Sequence, residues 1–168
     1  MIVSNSSGLI HVTKLSKALF LREYAERVLI PEAVHTEVVE RGKQEGYLEA
    51  DSIESFEREG WITVEPLKPK YRRLAVELGA TLGRGEAQAI ALASQNASLL
   101  LIDDDHGRRA ARYYKVNTLS TLGMLLEFLL SGKIRKQEYA NNVRRFSSQA
   151  WIGSDVVEEF LRKADESD

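Results

Sequence analysis

The chain of 168 residues is long enough to form one domain with its own core, since a domain of this size buries roughly 70% of the surface that its unfolded form exposes. With 43% hydrophobic and 29% charged residues, its composition excludes a disordered or collagen-like chain. The absence of cysteine excludes disulfides and thiolate-bound metals, and the net charge of −2 excludes a basic field over the whole surface that would attract nucleic acid.

Short apolar runs alternate with helical patterns along the chain. The runs predicted as strands cover residues 1–4, 27–30, 61–64, 99–102 and 116–119. Helices are predicted over 9–24, 31–42, 47–59, 70–79, 85–95, 107–114, 121–130, 136–146 and 154–164. Strands separated by helices need parallel crossovers, so we expect an α/β fold, a three-layer sandwich with a small central parallel sheet flanked by helices.

No linker or internal repeat interrupts this pattern, so we predict a single domain over residues 1–168, with its C-terminal helices at about 136–164. The N-terminal MIVSNSSGLI lacks the basic region and long apolar run of a signal peptide. The most apolar segment, LGMLLEFLL, is too short to span a bilayer. We therefore expect a cytoplasmic protein with no membrane partner.

The stretch LLLIDDDHG, residues 99–107, leads from a buried strand directly into three aspartates. Ligands of parallel sheets bind at the carboxyl ends of the strands, and both Asn5 and the triplet Asp103, Asp104 and Asp105 are predicted at that edge. Successive residues leaving a strand alternate sides, so at most two of the three aspartates serve one site. Asp105 is predicted to cap the helix that follows.

Two glutamates each have a structural and a functional interpretation. Glu37 shares a helix face with Val34, so it is either a partly buried acid paired with a nearby arginine or part of a site. Glu86 lies in the first turn of its helix, where a carboxylate stabilises the helix dipole by roughly 0.3–1 kcal/mol. Gly83 and Gly85 beside it allow a partner or substrate to come close to the backbone.

Several segments in a fixed order carry a resemblance to a known family: IVSNSSGLI, VLIPEAVHTEV, LGRGEAQAIALA, LLLIDDDHGRRAA, LSTLGMLLEFLLSGKI and, near the end, WIGSDVVEEFLRKA. Together they resemble the PIN domain, in particular its short prokaryotic branch of toxin-like nucleases, over nearly the whole chain. The resemblance implies hydrolysis of RNA phosphodiester bonds at a cluster of acids that binds Mg²⁺ or Mn²⁺. It also implies the toxin of a toxin–antitoxin pair, a homodimer that a small antitoxin protein inhibits.

Carried over onto this sequence, the resemblance places the acidic positions at Asn5, Glu37, Glu86 and Asp104, with hydroxyl positions at Ser7 and Thr121. Oxygen ligands of this kind suit hard divalent ions, which activate a bound water as the nucleophile. Asn5 departs from the family pattern, because its amide oxygen can ligate a metal but brings no charge. Asp103 is the candidate that would compensate for it.

Other enzyme classes and a zinc site fit less well. Phosphatases of the haloacid-dehalogenase type need Thr or Val after Asp-x-Asp, whereas His106 follows here. A response-regulator receiver needs an acidic pair after its first strand, and this chain has none there. His11, His35 and His106 lack the tight spacing of zinc ligands.

The alternative that stays open is a PIN-like module with weak or no catalysis that binds RNA or a partner protein. It is supported by the uncharged Asn5 and by the slightly acidic net charge. Arg108 and Arg112, one helical turn apart beside the acidic edge, are predicted to bind RNA phosphates or to pair with nearby carboxylates.

Overall fold

A computed structural model describes residues 1–150 and 152–166, apart from the side chains of Leu19 and Phe20. Trp151, which opens the last of the motifs quoted above, lies outside the described residues. The chain divides into two compact units, Met1–Leu119 and Ser120–Asp168. That the whole chain forms one domain stays a prediction.

The first unit contains a small parallel sheet. Its strands are β1 (Ile2–Ser4), β2 (Val28–Ile30), β3 (Ile62–Val64), β4 (Leu99–Leu101) and β5 (Thr118–Leu119). They lie in the order β3-β2-β1-β4-β5, and all neighbours are parallel. Every residue of β1 and β2 is buried, as apolar runs covered on both faces of a sheet require.

The helices of this unit pack on both faces of the sheet. They are α1 (Ser6–Lys14), α2 (Ala18–Ala25), α3 (Glu32–His35), a π-helical segment (Thr36–Arg41), α4 (Gly42–Gln44), α5 (Leu48–Arg58), α6 (Pro69–Leu78), α7 (Arg84–Asn96) and α8 (Asp105–Tyr113). Val3, Leu29 and Leu100 face apolar residues of α6, α7 and α8. The alternate strand residues face the opposite side, where α2 contacts β2 and α5 contacts β3. The predicted α/β sandwich is confirmed.

The predicted helices differ from the observed ones mainly near the N-terminus. The helix expected over 9–24 is two helices, because Ser16 between them has a φ of 58°, in the left-handed region. Pro31 is the N-cap of α3 and precedes its first turn. The helix expected to end at Gly42 continues to Gln44 and contains the π-helical segment, which carries Glu37.

The second unit consists of α9 (Thr121–Leu130), α10 (Lys136–Ala150) and α11 (Ser154–Asp165) in its described residues. Ser120 caps α9 by accepting a hydrogen bond from the Gly123 amide at 3.0 Å. Tyr139 on α10 is fully buried and its hydroxyl donates to the Phe160 carbonyl on α11 at 2.9 Å. None of the helices in the described part of the chain has the length and apolar character needed to cross a membrane.

Candidate active site

The carboxyl ends of β1 and β4 lie side by side, and Asn5 stands at this edge. Its backbone N–H donates to the Leu101 carbonyl at 3.2 Å, and its side chain is buried. Asn5 is the N-cap of α1, since its Oδ1 accepts from the Gly8 amide at 3.0 Å and from the Ser7 hydroxyl at 3.3 Å. The chain thus passes directly from β1 into α1 at Asn5, and Ser7 lies beside Asn5.

Glu37 approaches the same edge from the π-helical segment. Its Oε2 accepts a hydrogen bond from the hydroxyl of Ser6, the residue after Asn5. Its carboxylate also lies against Gly85 in the first turn of α7, where a Cβ would come within 3.0 Å of Glu37 Cδ. The glycines of this turn were predicted to let a partner or substrate come close to the backbone. In the structure, the carboxylate of Glu37 occupies that space at Gly85.

Glu86 is the third residue of α7 and is partly buried. The backbone N–H of Gly83, the N-cap, donates to its carboxylate, which is one half of a capping box. Its Oε1 lies close to Gly107 on α8, where a Cβ would be 3.3 Å away. Burial raises the pKa of Glu86, and the negative charges of Asp104 and Glu37 raise it further.

Asp104 is the N-cap of α8, because its Oδ1 accepts from the Gly107 amide at 2.7 Å. The prediction that Asp105 caps this helix is wrong. The helix begins at Asp105, two residues earlier than predicted, so the cap position falls on Asp104. Asp105 is exposed and forms ion pairs with Arg108 at 3.2 Å and Arg109 at 3.1 Å.

Asp103 faces a different neighbour from that of Asp104. Its Oδ2 lies 2.8 Å from Nδ1 of His11 on α1, and both side chains are largely buried. His35 instead has Nδ1 at 2.9 Å from Glu57 Oε1. These two histidines therefore contact separate carboxylates.

The remaining predicted residues lie around this edge or in the second unit. For Arg108 the sequence allowed either phosphate binding or pairing with a carboxylate, and in the structure it forms an ion pair with Asp105. Arg112 is exposed and forms no ion pair with any described residue. Thr121 is the first residue of α9 in the second unit and is fully buried.

Glu37, Glu86 and Asp104 form what we call the acidic cluster. They come from three separate elements, and the pKa of Glu86 responds to the charges of the other two. Within residues 1–150 and 152–166, no lysine or arginine forms an ion pair with any of the three. The described lysines and arginines therefore leave the charge of the cluster unpaired, while His106 is near enough to act against the rise in the pKa of Glu86.

A family model described as a PIN domain, DUF3368, matches residues 1–166. The chain belongs to the PIN-domain family. PIN domains are generally nucleases, and those nucleases typically use divalent metal ions. No curated protein matches the chain.

The donor set of this PIN domain suits a hard divalent ion. The cluster offers oxygen ligands alone, and its unneutralised charge would attract a cation that takes one or two carboxylates and keeps several waters. In the described residues, however, no group of three or more His, Cys, Asp or Glu side chains is placed so that it could hold a metal ion. Glu37 and Asp104 are instead hydrogen-bonded to Ser6 and Gly107.

Two residues that shape the cluster were not predicted. Ser6 donates its hydroxyl to Glu37, and Gly107 leaves room for Glu86 while donating its amide to Asp104. Gly107 carries a recognisable signal, since it lies three residues after an aspartate, the spacing of an N-cap hydrogen bond. Ser6 carries no such signal, because its partner is distant in sequence.

Gly85→Ala is expected to weaken Mn²⁺ binding by about tenfold, because the added Cβ would displace the Glu37 carboxylate. Overpacking at this contact is also expected to lower the free energy of unfolding by about 1–3 kcal/mol. Calorimetric Mn²⁺ titration and thermal unfolding measure the two effects. Gly83→Ala is the control, since its Cβ would stay 3.9 Å from Glu86 Oε2; equal Mn²⁺ affinity in both variants would contradict the assignment of Glu37.

Proposed function

We propose that this PIN domain is a metal-dependent endoribonuclease that hydrolyses RNA phosphodiester bonds. The observation that supports the proposal is the acidic cluster, in which carboxylates from the π-helical segment, α7 and α8 converge beside the carboxyl edge of the sheet. Nucleases of this kind need oxygen ligands gathered at one place, and the effect of the Asp104 and Glu37 charges on Glu86 supports such a place here.

We infer that Mg²⁺ or Mn²⁺ would be held by Asp104, Glu86, Glu37 and Asn5, with Asp103 as a further candidate ligand. When bound, such an ion activates water for attack and neutralises charge that develops on the phosphate. The inference is supported by the oxygen-only donor set and by the finding that no described lysine or arginine forms an ion pair with Asp104, Glu86 or Glu37.

The residues around the cluster hold these side chains in place. Ser6 orients the Glu37 carboxylate, and the Gly83 amide orients that of Glu86. The Gly107 amide fixes Asp104 at the start of α8. Burial and the charges of Asp104 and Glu37 raise the pKa of Glu86, and a divalent cation held there would offset this accumulation of negative charge.

The experiment that tests this function compares two neighbouring aspartates. Asp104→Asn removes a charge but keeps the cap, since asparagine caps helices as well as aspartate does. We expect it to slow Mn²⁺-dependent cleavage of a single-stranded RNA by about 100-fold or more. Asp105→Asn, a change outside the cluster, is expected to stay within about twofold of the native rate. Equal cleavage by Asp104→Asn and the native chain would refute the assigned site.

We further propose that the protein is the cytoplasmic toxin of a toxin–antitoxin pair, inhibited by a small antitoxin protein and active as a homodimer. The sequence resemblance alone supports this role. Expression of the native chain is then expected to arrest growth of the host, and expression of Asp104→Asn is not. Growth arrest by both chains, or by neither, would contradict the toxin role.

The second candidate function is a PIN module that binds RNA or a partner protein with weak or no cleavage. It is favoured by the neutral Asn5 and by the engagement of Glu37 and Asp104 in hydrogen bonds. RNA binding by the native chain without cleavage in Mg²⁺ or Mn²⁺ would support this candidate over the nuclease.

A further inference from the structure

A groove of about 470 Å³ lies between α6 and α7 in the first unit. Its polar lining comes from Arg72, Arg84 and Gln88, and its other lining residues are Leu67, Ala75, Val76 and Gly79. Val76 in this lining is 77% exposed, so a large apolar side chain is left open to solvent. No acidic side chain is among the described residues that line the groove.

The two arginines of the groove have no carboxylate partner in the described part of the chain. Arg72 Nε donates to the Leu67 carbonyl at 2.8 Å, which holds the guanidinium over the groove and leaves its other N–H groups available. The Arg84 side chain makes no hydrogen bond with a described residue. Guanidinium groups that have no carboxylate partner can bind anions that accept two parallel hydrogen bonds, such as phosphates.

The groove begins next to the acidic cluster. Arg84 directly precedes Gly85, the residue against which the Glu37 carboxylate lies. Gln88, one turn further along α7, accepts a hydrogen bond from the Ala33 amide at 3.1 Å, so α3 lies against this part of α7. Positive charge thus lies within one helical turn of the uncompensated negative charge of the cluster.

We propose that this groove binds single-stranded RNA, with Arg72 and Arg84 as positioning residues for phosphates that flank the bond to be cleaved. The inference rests on the proposed ribonuclease function. The three carboxylates of the acidic cluster repel the phosphates of an RNA strand. The positive charges of Arg72 and Arg84 attract neighbouring phosphates of the same strand and so offset this repulsion. The exposed Val76 in the lining provides apolar contact area for the sugar and base faces of the strand.

The test is equilibrium binding of a fluorescein-labelled single-stranded RNA oligonucleotide in EDTA, which requires neither metal nor cleavage. Arg72→Gln and Arg84→Gln are each expected to weaken binding by about fivefold and to reduce the slope of log affinity against log salt by about 0.7. Arg58→Gln is the matched control. Arg58 is an exposed arginine at the end of α5. Because α5 directly precedes β3, Arg58 lies at the amino ends of the strands, whereas the acidic cluster lies at their carboxyl ends.

Equal losses in all three variants would show a nonspecific charge effect and overturn the proposal. Native affinity in Arg72→Gln and Arg84→Gln would overturn it as well, as expected if the groove instead binds an acidic peptide. Failure of the nuclease function gives a different result, because the native chain would then leave RNA intact in Mn²⁺ while the two groove variants still bind it less tightly. Mn²⁺ affinity is expected to stay native in both variants, which separates groove effects from damage to the cluster.

Discussion

Glu86→Gln is expected to reduce RNA cleavage by about 100-fold or more and, in the metal-free protein, to raise the melting temperature. Burial and the charges of Asp104 and Glu37 raise the pKa of Glu86 in the folded state. A group with a raised folded pKa stabilises the fold below its unfolded pKa, and that contribution is lost as the pH rises through the folded value. At neutral pH the ionised Glu86 therefore opposes folding, and glutamine removes this charge while still accepting the Gly83 hydrogen bond.

Thermal unfolding in EDTA from pH 4 to pH 8 measures this effect. The difference between Glu86→Gln and the native chain is expected to be small at the acid end and to grow with pH. A gain of about 1 kcal/mol would raise the melting temperature of a chain of this length by roughly 2–4 °C. Glu127→Gln, at an exposed position of α9, controls for the loss of any one carboxylate.

Addition of Mn²⁺ is expected to reverse the order of stability. The native chain gains stability by binding the ion, whereas Glu86→Gln gains less because it has lost a ligand. A melting temperature of Glu86→Gln that is equal to or below the native value in EDTA at neutral pH would contradict the electrostatic account of the cluster.

Asn5→Asp is expected to tighten Mn²⁺ binding by about tenfold and to accelerate RNA cleavage, because it adds a carboxylate to the three of the acidic cluster. Aspartate can take over the cap hydrogen bond from the Gly8 amide without a change of shape. The same substitution is expected to lower the melting temperature in EDTA, since Asn5 is only 1% exposed and a charge there would be buried close to other acids.

Asn5→Ser is the control for this gain, since serine also caps α1 but adds no charge. Calorimetric Mn²⁺ titration and the rate of RNA cleavage are measured for both variants. Metal affinity in Asn5→Asp no higher than in the native chain would mean that position 5 lies outside the metal-binding geometry. That outcome would strengthen the interpretation of the protein as a binding module.

The sequence predicted the sheet and most helices, because long periodic segments such as those of α7 and α9 specify their structure locally. It did not predict the break at Ser16, where a left-handed backbone is adopted by a residue other than glycine. The position of Glu37 also could not be derived from helical spacing, because a π-helical segment changes the direction of its side chains.

The candidate site was predicted in part, from residues whose partners lie nearby in the chain. The cap of α8 was placed one residue too late, since a run of three aspartates offers three equivalent candidates and only the packed helix decides between them. The groove with Arg72 and Arg84 was not predicted, because it depends on how α6 packs against α7. Neither arginine lies in a sequence pattern that indicates phosphate binding.

The capping of α1 by Asn5 and of α8 by Asp104 has a consequence for how such a chain can change during evolution. Helix caps accept Asp, Asn and Ser with similar stability, so a carboxylate in a cap position can be exchanged for a neutral side chain without unfolding the protein. A substitution that abolishes catalysis at such a position would therefore leave the fold unchanged. A nuclease of this architecture can thus become an inactive binding protein through single substitutions. An asparagine at position 5 is the residue expected after the first of them.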